Sequence, residues 1–151
     1  MRYFLLIPHL KLHNANAMSS PYTIGFPAMT AWLGAVHALQ RKLKKKGCDL
    51  NLNKVAVSCH HFNLQTYKGR GDFVHSIVST ANPLDKDGDR PAFIEEARCH
   101  LEVSLLIELE SSSKKQRDQL MELVNGIVAS MKFASGDVLS AKPCTILNFD
   151  D

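Results

Sequence analysis

His60 and His61 stand side by side, with Lys68 and Arg70 close behind, and these are the residue types that RNA cleavage by proton transfer would use. Imidazole changes charge near neutrality, so one histidine and a lysine would suffice in principle. Adjacent side chains of a regular strand point to opposite faces, so the two rings do not converge on one metal ion. His61 falls on the face of Val55, Val57 and Cys59 and is expected to be packed; neither a metal site nor a catalytic pair is expected here. Asp85, Asp87, Asp89 and Glu96 fall at positions 1, 3, 5 and 12 of a calcium loop, but position 6 must be glycine and is Arg90, so the segment reads as a solvated turn. Gly69-Arg70-Gly71 lacks the third glycine and the strand-to-helix setting of a dinucleotide fingerprint.

More informative is the stretch from Lys11 to Pro27, which joins an apolar strand to a long helix through Asn, Ser, Thr and Gly residues. Connections in compact domains usually run about 4 to 6 residues, and longer ones are more often binding loops. Amide and hydroxyl side chains in such a loop can grip a polar ligand such as a nucleic-acid backbone, or simply form Asx turns along a crossover. His37 and Arg41, four residues apart, would share one side of a helix and could hold a phosphate between them. The row Arg98, His100, Glu102 and Ser104 faces outward from a later strand, available to a ligand or to a partner.

Charge supports an anionic partner. Residues 1–70 carry ten Lys/Arg against one acid, a net +9, whereas residues 71–151 carry eight Lys/Arg against fourteen acids, a net −6. Such a basic half concentrates nucleic acid without conferring sequence preference. Part of the excess, Arg41, Lys42, Lys44, Lys45 and Lys46, also complements the C-terminus of a helix. Cys48, Cys59, Cys99 and Cys144 never form a CxxC pair, so they are expected to be reduced and buried, with no disulfide framework and no zinc. No apolar run approaches the ~20 residues of a membrane span, and Pro8-His9 interrupts the N-terminal apolar run too soon for a signal peptide, so the reading is cytoplasmic.

These residues need elements to position them, and 151 residues suffice for one domain, 1–151. Residues 2–10 read as a central strand, and Pro27 opens a helix near 27–46 in which Met29, Trp32, Leu33, Val36, Leu39 and Leu43 recur at helical spacing until Gly47. Alternation predicts strands near 54–64 and from Ala97 to Leu109, separated by a long loop or irregular hairpin at 65–95. Ser113 and Gln116 form a capping box before a helix near 114–132, and Cys144–Phe149 supplies a last strand. The order β-α-β-β-α-β with both helices on one side of an antiparallel sheet predicts an α+β, ferredoxin-like fold with one sheet face open. RNA-recognition modules share this topology, but the Gly-Phe-aromatic run on which they stack bases is missing.

Several segments then carry a family resemblance: Leu6-Ile7-Pro8-His9-Leu10, Asn14-Ala15-Asn16-Ala17, Ser19-Ser20-Pro21, Gly25-Phe26-Pro27 and Val36-His37-Ala38-Leu39-Gln40-Arg41, followed by Asn82-Pro83-Leu84 and Glu95 through Leu106. Over residues 3–109 the chain resembles the Cas-five-type subunit of the Csy, or type I-F, CRISPR surveillance complex; residues 110–151 match loosely. The resemblance implies a repeat-associated, ferredoxin-like protein that is not an enzyme and needs no cofactor. Its implied partners are the 5′ handle of the CRISPR RNA, the large subunit of the complex and the adjacent backbone subunit. Carried over by position, the handle contacts are His13, Asn14, Asn16, Ser19, Ser20, Phe26, His37 and Arg41, with Arg98 and His100. Family members are expected to continue through a thumb-like insertion and a C-terminal region, so this chain corresponds to the N-terminal part of the family's longer chain. Two alternatives stand beside this reading: a repeat-RNA endoribonuclease, and a module that binds the large subunit without RNA.

Overall fold

The computed structural model describes residues 2–78, 84–90, 96–110 and 113–149; of the expected loop 65–95, residues 79–83 and 91–95 lie outside the described residues. Its centre is a pair of long antiparallel strands, β1 (Arg2–Asn16) and β7 (Arg98–Glu110). On β7 the alternation is complete: Cys99, Leu101, Val103, Leu105, Ile107 and Leu109 are buried, and the intervening residues are half-buried. β4 (Asn51–Leu64) pairs with β7 on its outer side. The far side of β1 is shared by β10 (Thr145–Phe149), opposite residues 2–6, and β9 (Gly136–Ser140), opposite residues 11–13. β8 (Lys132–Phe133) completes the row β4-β7-β1-β9-β8. The pairs β2 (Met18–Ser20) with β3 (Thr23–Ile24) and β5 (Thr66–Tyr67) with β6 (Ser76–Ile77) form two small separate ribbons.

Both helices cover the face to which Leu5, Ile7, Leu10 and Leu12 point. α1 (Met29–Lys45) buries Trp32, Ala35, Val36, Leu39 and Leu43 at helical spacing. It ends where Gly47, at φ 85, lets the Gly47 and Cys48 amides turn back onto the Lys44 and Leu43 carbonyls, a conformation that costs glycine little. α2 (Lys114–Ala129) starts on the expected capping box: the Gln116 amide donates to Ser113 Oγ and the Ser113 amide to Gln116 Oε1. Gln116 Nε2 also donates to the Asp49 carbonyl, tying the start of α2 to the turn after α1. No helix among the described residues is long and apolar enough to cross a membrane.

Three expectations change. The segment expected as a loop from 11 to 27 is strand as far as Asn16, and residues 18–24 form the β2-β3 ribbon. The period-2 signal fails there because β1 is bulged twice: Pro8 and His9 lie opposite Ser104, and His13 and Asn14 lie opposite His100. His9 and Asn14 hold left-handed backbone at φ 50 and φ 55. β4 is also bulged between Cys59 and His61. That extra residue moves His61 off the apolar face into register with Glu102, so His61 is exposed rather than packed. Cys59 is exposed as well, while Cys48, Cys99 and Cys144 are free and buried, and burial pushes the Cys99 and Cys144 thiols up to about 11.

The second bulge of β1 leans directly on β9. A Cβ on Gly136 would meet the Cα and Cβ of Ala15 at 3.0 Å, whereas a Cβ on Gly34, in the middle of α1, meets nothing. Gly136→Val therefore lowers the unfolding free energy by about 1–3 kcal/mol through overpacking. Gly34→Ala raises it by about 0.5–1 kcal/mol. Denaturant titration of the two variants checks both signs.

Candidate nucleic-acid interface

The face of the sheet turned away from the helices carries a row of polar side chains over β4, β7 and β1. At each bulge of β1 the displaced residue's amide is taken by the β7 side chain opposite: His9 N donates to Ser104 Oγ at 3.1 Å, and Asn14 N donates to His100 Nδ1 at 3.2 Å. Each bulge also brings an imidazole onto a second one. His9 stacks on His60 with ring centroids 4.5 Å apart, and His13 stacks on His100 at 4.4 Å. His9 Nδ1 donates to Glu102 Oε1 at 2.6 Å, and His60 Nε2 shares a 2.7 Å hydrogen bond with Ser104 Oγ. Lys11 Nζ reaches the other Glu102 oxygen at 3.9 Å. Arg98 Nη1 donates to the Asn14 carbonyl at 3.4 Å while Nη2 pairs with Glu96.

The electrostatics follow from these contacts. The hydrogen bond from His9 holds the Glu102 carboxyl below its usual range against an opposing effect of burial, and Lys11, His9 and His60 add to the lowering. Burial first, and then the charge His13 could carry, hold the His100 imidazole below its usual value. Because His100 Nδ1 accepts from Asn14, its proton sits on Nε2, which points away from that bond. The Lys132 ammonium, donating to Asp137, keeps that carboxyl low beside His13, its register partner.

The expected contact residues fall into separate groups. His13, Asn14, Asn16, Arg98 and His100 come together at one end of the open face, where Asn16 is the register partner of Arg98. Ser19 and Ser20 follow on the β2-β3 ribbon, but their hydroxyls tie it together, Ser19 donating to the Thr23 carbonyl and Ser20 to Thr23 Oγ1. Asn16 Oδ1 caps the Met18 amide. Phe26 lies on the helix side, stacked on buried Trp32 at 5.7 Å and 6.5 Å from Phe62. His37 and Arg41 are exposed on the outer side of α1, and among the described residues no hydrogen bond or ion pair links them. His9, Lys11 and the use of His60 escaped the sequence reading; Pro8, which cannot donate to a ladder, was the available sign of a bulge. Asp85 turns its Oδ1 onto the amides of Asp87 and Asp89, and no metal-holding cluster occurs among the described residues.

Known proteins agree on one family. The family model described as CRISPR-associated protein (Cas_Csy2) matches residues 5–151. The CRISPR-associated protein Csy2 of Pseudomonas aeruginosa (strain UCBPP-PA14) is 39% identical over 137 residues, which are 89% of this chain and 42% of that protein. The chain thus spans about two fifths of the length of that relative.

A lowered imidazole value in the folded state means that the unfolded chain binds more protons as the pH falls through the imidazole range. The His100 contribution is complete above the unfolded value and lost below it. Thermal melts should therefore fall between about pH 7.5 and about pH 5.5, with a smaller drop in His100→Gln, which removes the titrating group.

Proposed function

The chain belongs to the Cas_Csy2 family of CRISPR-associated proteins, and from that membership we propose that it is a non-catalytic, cytoplasmic subunit of a type I-F surveillance complex that holds the 5′ handle of the CRISPR RNA and docks the large subunit. The observation that carries this reading is the gathering of His13, Asn14, Asn16, Arg98 and His100 at one end of an open sheet face. Single-stranded RNA is held by cations along its backbone, by planar rings against its bases and by amides at their edges, and all three kinds of group occur there. On the helix side, His37 and Arg41 form a second contact region toward the basic end of α1, and Phe26, stacked on Trp32 in the first turn, offers a further contact at the opposite end of that helix. The ferredoxin-like, Cas-five-type fold belongs to the same proposal, supported by the central pairing of β1 and β7 with both helices on one face.

Electrostatic contact with RNA implies an affinity that falls steeply as salt rises. In fluorescence anisotropy with handle RNA, Arg98→Ala should weaken binding and reduce the salt slope by about one. Absent or salt-independent binding, also with the large subunit present, contradicts the proposal. Incubation with repeat RNA should leave it intact for the parent chain and for His60→Ala and His61→Ala alike; cleavage lost in either variant would favour the endoribonuclease instead. Co-purification of the large subunit without nucleic acid would favour the protein-only module.

A further inference from the structure

The centre of the open face holds a second group that the handle contacts do not use: His9, Lys11, His60, Glu102 and Ser104. We propose that this group and the His13-His100 pair together form a track for the phosphodiester backbone of single-stranded RNA, and that RNA enters it with uptake of a proton at the His9-His60 pair. This rests on the RNA-binding reading above and extends it from one end of the face to its middle.

What a ligand meets on this face is set by the ring nitrogens that the protein leaves to it. His9 commits Nδ1–H to Glu102, His60 commits Nε2 to Ser104, and His100 commits Nδ1 to the Asn14 amide. Among the described residues no protein atom takes His9 Nε2, His60 Nδ1, His100 Nε2 or either nitrogen of His13. His100 Nε2 already carries hydrogen and offers a donor without any change of charge. Neutral His9 has its hydrogen on Nδ1, so Nε2 becomes a donor only when a second proton arrives, with Glu102 in place as counter-ion. A phosphate oxygen at Nε2 favours that proton.

The charged surroundings point the same way. Among the described residues the groups facing the pair are Lys11 from β1, His61 from β4 and Glu102 from β7; Arg98 with its partner Glu96, and Asp137 with its partner Lys132, lie toward His13 and His100. Each of the three carboxylates is matched by a cation, which leaves the imidazoles to answer a ligand's charge. Ser104 and His100 are four residues apart on β7, about 13 Å at 3.3 Å per residue, so the two pairs address separate phosphates of one strand.

The test is anisotropy of the 151-residue chain with a labelled oligouridylate, whose uniform bases report the backbone, at about pH 6 and about pH 8. The expected result is severalfold tighter binding at the lower pH, and a loss of about tenfold at the lower pH in His9→Gln with most of the pH dependence gone. His60→Gln, an exposed site, gives the same flattening if His9→Gln does not fold. Calorimetry in two buffers of different ionisation enthalpy should show proton uptake on binding. Equal affinity at both pH values, or His9→Gln and His60→Gln that bind like the parent while His37→Ala with Arg41→Ala does not, overturns the track and leaves RNA binding on the helix side intact. No binding of oligouridylate or of handle RNA overturns both readings.

Discussion

His9 and Asn14 each hold the backbone of β1 in the left-handed region, and the arrangement of the sheet depends on those two turns of the chain. A strand that must bury Leu5, Ile7, Leu10, Leu12 and Ala15 cannot do so with unbroken alternation, because Leu10 and Ala15 are out of phase with the residues before them. Each bulge absorbs one residue and restores the phase. Left-handed backbone costs a histidine about 1–2 kcal/mol and an asparagine less. The amide expelled from the ladder at each bulge is recovered by a β7 side chain, Ser104 or His100, so neither is left without an acceptor.

The same two bulges decide what the open face displays. Because the extra residues turn outward, imidazoles from β1 land against imidazoles on β4 and β7 instead of lying one per strand. The pairs differ chemically. His100 is tied to a backbone amide, so protonating its Nδ1 would break that bond; His9 is tied to a carboxylate, so protonating it would not. One imidazole therefore acts as a fixed donor and the other as a group that responds to charge. The helices take no part in this face; they close the core from the other side and carry the basic C-terminal turn of α1 away from it.

Elements whose local signals agree with their packing were legible from residue types. The capping box of Ser113 and Gln116, the stop at Gly47 and the alternation of β7 place α2, the end of α1 and β7 within a residue or a few of where they lie. What could not be read was caused by broken periodicity. From residue types β1 reads as ending at residue 10 because His9 and Asn14 disturb the period, and His61 reads as packed because the bulge after Cys59 reverses its face. For the same reason Arg98 and His100, on regular β7, read as outward and lie there, while no periodic signal marks His9 or its stacking on His60. Cys59 is exposed on β4, the strand that ends the sheet order among the described residues.

Photo-cross-linking of bound RNA to the chain, with the linked peptides mapped by mass spectrometry, addresses the central claim without relying on any substitution. If the bulged strand presents the RNA-binding face, cross-links concentrate within residues 9–20 and 98–104, on both sides of the β1-β7 seam, and at His60 beside them, with any at Phe26, His37 and Arg41 in addition to these. Cross-links confined to α1, or a sheet face that no RNA reaches, would contradict the account.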